Sequence, residues 1–223
     1  MNPDDPAYDG QKHYTPWLLK VYDPLVLGFF ASAVWRSPAR GLLEHYNRHI
    51  RQHHLDVGPG TGYFLEHARL PNGASLTLVD PNPNVLAHVA RRLAHLDVAA
   101  VEADICKPLI SRVDNRLFDS VALNLVFHCL PEVCKAAAIA HIAAVVKPDG
   151  VFFGATVLGT PEYHTHVSRI PLRAYNRVGA FDNLSDNEGS LCEILGESFE
   201  ATDLEVVGSI AIFSATGPRH FSS

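Results

Sequence analysis

Residues 53–62, which read His-His-Leu-Asp-Val-Gly-Pro-Gly-Thr-Gly, constrain the fold of this chain more than any other stretch. An apolar strand end runs into three alternate glycines, Gly58, Gly60 and Gly62, and a helix-like run over 63–70 follows. Glycines at a strand-to-helix turn let the backbone bend tightly and approach a ligand that a Cβ would exclude. The next helix then aims its first N–H groups into the crevice. Such a turn predicts a nucleotide-like ligand; close packing of helix on strand is the other use of the same glycines.

Two departures from the dinucleotide fingerprint narrow the ligand. The third glycine arrives one residue early, and Tyr63 stands where it belongs. Asp56 sits inside the strand end, two residues before the first glycine. Beside a pyrophosphate it would meet like charge in a partly desolvated crevice. Beside a ligand with an ammonium and a sulfonium it would be stabilising. S-adenosylmethionine carries both, together with an adenosine end and no phosphate. The order Asp56, Gly58, Gly60, Gly62 resembles the first motif of the class I S-adenosylmethionine-dependent methyltransferases, acid-x-Gly-x-Gly-x-Gly.

Beyond residue 62, strand-like and helix-like runs alternate. Residues 75–80 predict a strand buried on both faces, because Leu76, Leu78 and Val79 lack strict alternation. Asn82 and Pro83 open a helix with Val85, Leu86, Val89, Leu93 and Leu96 on one side. Strands over 98–103 and 118–124 follow, then an alanine-rich helix over 131–146. A Lys-Pro-Asp-Gly turn at 147–150 precedes a strand over 151–157. This repetition argues for a parallel sheet with right-handed crossovers. Ser185 and Glu188 read as a capping box before a helix with Leu191, Ile194 and Leu195. Two β-rich runs, 201–207 and 210–216, meet at Gly208-Ser209 as a hairpin.

Ahead of the glycine stretch, helical spacing over 17–35 and a helix opened by Ser37-Pro38 read as an accessory cap. The expected fold class is therefore α/β: a doubly wound, mostly parallel sheet with a C-terminal antiparallel hairpin and an N-terminal helical cap. One domain is expected, with the cap at 1–50, the cofactor-binding core at 51–157, a lid or insert at 158–185 and the C-terminal helix and hairpin at 186–223. The insert is too long for an ordinary connection. It leaves the sheet at the carboxyl edge, where ligands of open α/β folds bind. Its Tyr163, Tyr175 and Phe181, with Tyr14, Trp17 and Tyr22 of the cap, suit the wall of an acceptor pocket.

The resemblance extends to further positions. Asp80 ends the second strand, 18 residues after Gly62, and the resemblance implies that it accepts from both ribose hydroxyls. The same Asp before Pro81 would also serve as an ordinary turn residue. Asp104 would accept from the adenine amine, and the backbone N–H of Ile105 would meet a ring nitrogen. Residues 118–124 are similar to the family's fourth motif and put Asn124 at the transfer site. Tyr22 and Pro81 complete the implied cofactor contacts. His128, four residues past Asn124, is the first candidate for a general base, and a packing histidine is its other reading. His164 and His166 come next.

The implied reaction is methyl transfer from S-adenosylmethionine to an O, N or S atom of a small molecule, leaving S-adenosylhomocysteine. A protein or peptide methyltransferase and a non-catalytic cofactor-binding module are the alternatives. No acidic residue stands in 124–127 or 154–157, so no metal is expected.

Of the 223 residues, 47% are apolar and 19% charged, which fits a folded domain. A net charge of −6 without a basic run argues against nucleic acid as the acceptor. Arg91-Arg92 reads as a solvated helix face. No apolar run reaches the length of a membrane span, so no membrane partner is expected and a cytoplasmic location is the default; a homodimer stays open. Cys106, Cys129, Cys134 and Cys192 have no paired spacing and read as free thiols.

Overall fold

The computed structural model describes residues 39–219. Its first helix, α1 (Ala39–His49), leads to β1 (His53–Val57), the glycine turn and the short α2 (Tyr63–His67). Then come β2 (Ser75–Asp80), α3 (Pro83–Arg92), β3 (Asp97–Glu102), β4 (Phe118–Asn124), α4 (Lys135–Ala143) and β5 (Val146–Val157). The chain closes with α5 (Arg169–Arg177), α6 (Glu188–Ser198), β6 (Phe199–Val207) and β7 (Ile210–Pro218). The seven strands form one sheet in the order β3-β2-β1-β4-β5-β7-β6. The first five pair in parallel, whereas β7 runs antiparallel to both β5 and β6.

Side chains alternate across the strands, and both faces are covered. Val79, Val121 and Phe152 pack with Ile139 and Ile142 of α4 and Leu191 and Leu195 of α6. Leu78, Ala122 and Phe153 pack with Tyr46 of α1, Leu65 of α2 and Val85 and Val89 of α3. Each strand must therefore be apolar on successive residues, which explains the runs without strict alternation. The expected doubly wound sheet and the C-terminal hairpin are what the chain forms.

Several elements differ from expectation. The helical run over 17–35 lies outside the described residues. Helix α1, expected in the cap, is packed on the sheet itself: Leu42 and Tyr46 are buried, and the Tyr46 ring meets Phe153 edge-on at 5.4 Å. The Lys-Pro-Asp-Gly segment is an irregularity inside β5 rather than a turn before it. Phe118 pairs with Val146, and two residues later Ser120 pairs with Val151. The capping box lies two residues later than Ser185–Glu188, where Asn187 accepts from the Ser190 N–H and Ser190 Oγ from the Asn187 N–H. The stretch after β5 contains α5, which the sequence pattern missed because Leu172 alone of its side chains is buried.

The cysteine reading is also corrected. Cys106 and Cys134 form a disulfide with their Cα atoms 5.5 Å apart, tying the loop after β3 to the start of α4. Their 28-residue separation gives no local signal; only the βα crossover brings them together. Cys129 and Cys192 are free.

Candidate cofactor and transfer site

The residues singled out from the sequence converge on the carboxyl edge of the parallel strands. Asp56 and Val57 end β1, Asp80 ends β2, Asp104 follows β3 and Asn124 ends β4. Register holds the edge together: Asp56 pairs with Leu78 on one side and Ala122 on the other, and Asp80 pairs with Glu102. Tyr22 lies outside the described residues.

Gly58, Gly60 and Gly62 all have positive φ, at 63°, 56° and 81°. Gly58 and Gly62 are also closed in by packing, since a Cβ would press on Val126 or Val89. Gly60 differs, because a Cβ there would meet nothing within 4 Å. Its bare backbone faces open space, the cradle a ligand needs. Arg92 buttresses the turn from α3: it donates to the Thr61 carbonyl at 2.9 Å and pairs with Glu66 of α2. It is not merely a solvated face.

Asp80 is held by the Asn82 N–H, which donates to its Oδ1 at 2.8 Å. Burial nevertheless pushes its carboxyl up to about 7, and that hydrogen bond only partly offsets the shift. Pro81 and Asp104 border a cleft of about 240 Å³ between the ends of β2 and β3. Asp104 accepts from the Cys106 N–H at 2.9 Å and pairs with Lys107 at 3.7 Å. Ile105 is buried, and its carbonyl meets His141 Nδ1 at 2.8 Å.

At the end of β4, Asn124 is buried and its Nδ2 has no hydrogen-bond partner among the described residues. The next residue, Leu125, is held at φ 59°, a conformation a branched side chain adopts only under constraint. An orphaned donor and a strained turn thus share one strand end.

His128 is buried in the following 3-10 turn. The Val157 N–H donates to its Nδ1 at 3.3 Å, with Thr156 Oγ1 at 3.2 Å from the same nitrogen. Burial, reinforced by the Lys135 charge, lowers its pKa to about 3, so the ring is neutral. Phe181 of the insert packs on it in a T-shaped contact at 4.4 Å. His164 is engaged elsewhere, with Nε2 donating to the Leu158 carbonyl and Nδ1 beside Ser168. His166 is exposed.

Residues 55–152 match the family model described as a methyltransferase domain. The chain is 37% identical, over 95% of its own length and 93% of the relative's, to the demethylluteothin O-methyltransferase of Streptomyces thioluteus. The chain belongs to the class I S-adenosylmethionine-dependent methyltransferases. It is also 35% identical to the N-methyltransferase vrtF of Penicillium aethiopicum, with 96% and 91% of the two chains covered. Among solved structures, the DhpI–SAH complex matches it with a TM-score of 0.65 at 18% identity, covering 96% of both chains. The methyltransferase is thus an enzyme with S-adenosylmethionine as cofactor. Its open cradle at Gly60, the orphaned Asn124 amide and the row of carboxylates fit that group.

Tyr46, His54, Ser120 and Arg92 were not singled out for the site by sequence. Each reaches it through a hydrogen-bond partner that no local motif announces.

Proposed function

We propose that this methyltransferase methylates an oxygen or nitrogen of a small-molecule acceptor bound between the carboxyl edge of the sheet and the insert over 158–185. The observation that carries the reading is the contact of Phe181 with His128, which brings an insert aromatic against the turn after β4. The full-length likeness to methyltransferases named for small-molecule chemistry supports it.

In this reading Asp80 accepts from the ribose hydroxyls, with Pro81 beside it. Asp104 and the Ile105 N–H meet the adenine, and Asp56 faces the ammonium. The glycine turn gives its backbone to the cofactor, and Asn124 turns its free amide to the transfer site. Tyr22 of the N-terminal segment adds a further contact. S-adenosylmethionine supplies an electrophilic methyl group. The protein's contribution is to hold the nucleophile in line with it and to exclude water. His128 takes part neutral: Nδ1 is occupied by the Val157 N–H, so its proton sits on Nε2 and the ring orients the acceptor rather than acting as the expected general base, and the acceptor's proton leaves to solvent.

Incubating the protein with methyl-labelled cofactor and an extract of its host tests the reading. Label in a small organic product is expected, in a reaction that survives a chelator. Label confined to protein would move the acceptor to the peptide class, and activity restored only by magnesium would show that a metal has been missed. A cytoplasmic location is part of the proposal, and fractionation would check it.

A further inference from the structure

Under the glycine turn, five groups form one line that runs from exposed Arg51 into the core. The Arg51 N–H donates to Ser120 Oγ at 2.9 Å, and Ser120 Oγ lies 2.8 Å from His54 Nδ1. His54 Nε2 lies 2.9 Å from the Tyr46 hydroxyl, which donates to Asp56 Oδ2 at 2.6 Å. Ser120, His54 and Tyr46 are completely buried and Asp56 is 4% exposed.

The last bond fixes the direction of the others. Tyr46 has one proton and gives it to the carboxylate, so its oxygen accepts from His54 Nε2–H. His54 Nδ1 then accepts from the Ser120 hydroxyl, whose oxygen accepts from the Arg51 N–H. Every hydrogen in the line points towards Asp56, and no donor is left over. Burial and the Asp56 charge both hold the Tyr46 hydroxyl in its protonated form. The line ends with one carboxylate oxygen occupied, while Asp56 Oδ1 has no hydrogen-bond partner among the described residues.

We propose that Tyr46 is a positioning residue for the cofactor: it ties one oxygen of Asp56 and leaves the other aimed at the cofactor's ammonium. The inference rests on the reading of Asp56 as a cofactor contact. It gives α1, a helix ahead of the glycine motif, a direct role in cofactor affinity. A buried network kept only for stability would hold the same atoms together, so the test must separate the two.

Tyr46→Phe removes only the hydroxyl and keeps the ring stacked on Phe64 at 5.4 Å and edge-on to Phe153. Loss of a charge-assisted bond predicts a Kd for S-adenosylhomocysteine about tenfold weaker or more, and a similar rise in the KM for S-adenosylmethionine. The kcat at saturating cofactor should stay within about twofold, since the transfer geometry is untouched. Ser120→Ala breaks the line two bonds upstream and leaves the Tyr46–Asp56 bond in place. It should lower Tm while changing Kd by less than about twofold. Asp56→Asn, measured alongside, should weaken binding at least as much as Tyr46→Phe. Normal binding by Tyr46→Phe beside weak binding by Asp56→Asn would overturn the positioning role and leave the Asp56 reading standing. Loss of affinity in Ser120→Ala equal to that in Tyr46→Phe, following Tm in both, would overturn it in favour of a purely structural network. Normal binding by Asp56→Asn would remove the Asp56 reading, and the proposal with it.

Discussion

Asp80 carries a cost that shows in its protonation. A carboxylate that accepts two ribose hydroxyls must be ionised, yet burial lets this one hold its proton up to about pH 7. As pH falls through 7 the accepting form is lost, so cofactor binding should weaken on the acid side. Titration calorimetry should find a Kd about tenfold weaker at pH 6 than at pH 8, with the trend abolished in Asp80→Asn. A flat Kd over that range would separate Asp80 from the ribose. At this scale the sequence was informative wherever chemistry is local. Asp56, the three glycines, Asp80, Asp104 and Asn124 announce themselves by position along the chain. Tyr46 did not, because nothing in its helix marks it as the partner of Asp56 ten residues on. His54 and Ser120, 66 residues apart, are likewise joined only by the pairing of β1 with β4.

Elements bounded by strong local signals were legible. Strands β2 and β4 match their expected limits, and Asn82 caps α3 with its side chain on the Asn84 N–H, as Asn-Pro before an apolar run implies. Helix α5 was not, since Pro171 stands in its first turn and reads as a helix breaker, and Leu172 is its one buried residue. The disulfide was invisible for another reason: two elements must dock before its sulfurs meet. Closing a loop over a separation of 28 residues is worth about 3–4 kcal/mol in the chain-entropy account. Thermal melts with and without reductant should therefore differ by roughly 6–12 °C in a chain of this size. Cys134→Ala should melt like the reduced protein and be indifferent to reductant. Equal Tm values in all three cases would mean that the cross-link adds nothing to stability.

At the scale of the molecule, the insert is stitched to the sheet at both ends. Gly159 and Thr160 donate to the Asp186 carbonyl, Asn183 Nδ2 to the Val157 carbonyl, and Ser209 Oγ to the Tyr163 carbonyl. Gly159 must be glycine, because a Cβ would land on the Asn183 carbonyl oxygen. Lys135, fully buried, donates to Asp186 and to the Asp182 carbonyl, and burial still leaves Asp186 at about 6. Leu172 packs with Leu42, Val157 and Ile210, so the insert belongs to the core as well as to the mouth. Point changes at its aromatics are thus better probes than excision. Phe181→Ala should cut acceptor turnover at least tenfold while cofactor Kd stays within about twofold. Unchanged turnover would place acceptor recognition away from the insert.

The two outer strands of the sheet share a sign. At one margin β3 exposes Asp97 and Glu102, and at the other β6 exposes Glu200, Asp203 and Glu205. An unpaired strand is a template for another chain, and charge is one of the ways folded proteins protect it. Here any two copies meeting margin to margin, in whichever combination, bring carboxylates against carboxylates. Salt, which screens that repulsion, should raise light scattering on prolonged incubation, and Asp203→Asn with Glu205→Gln should raise it at low salt. Like a fence with the same pole on both posts, the sheet discourages its own continuation into a fibril.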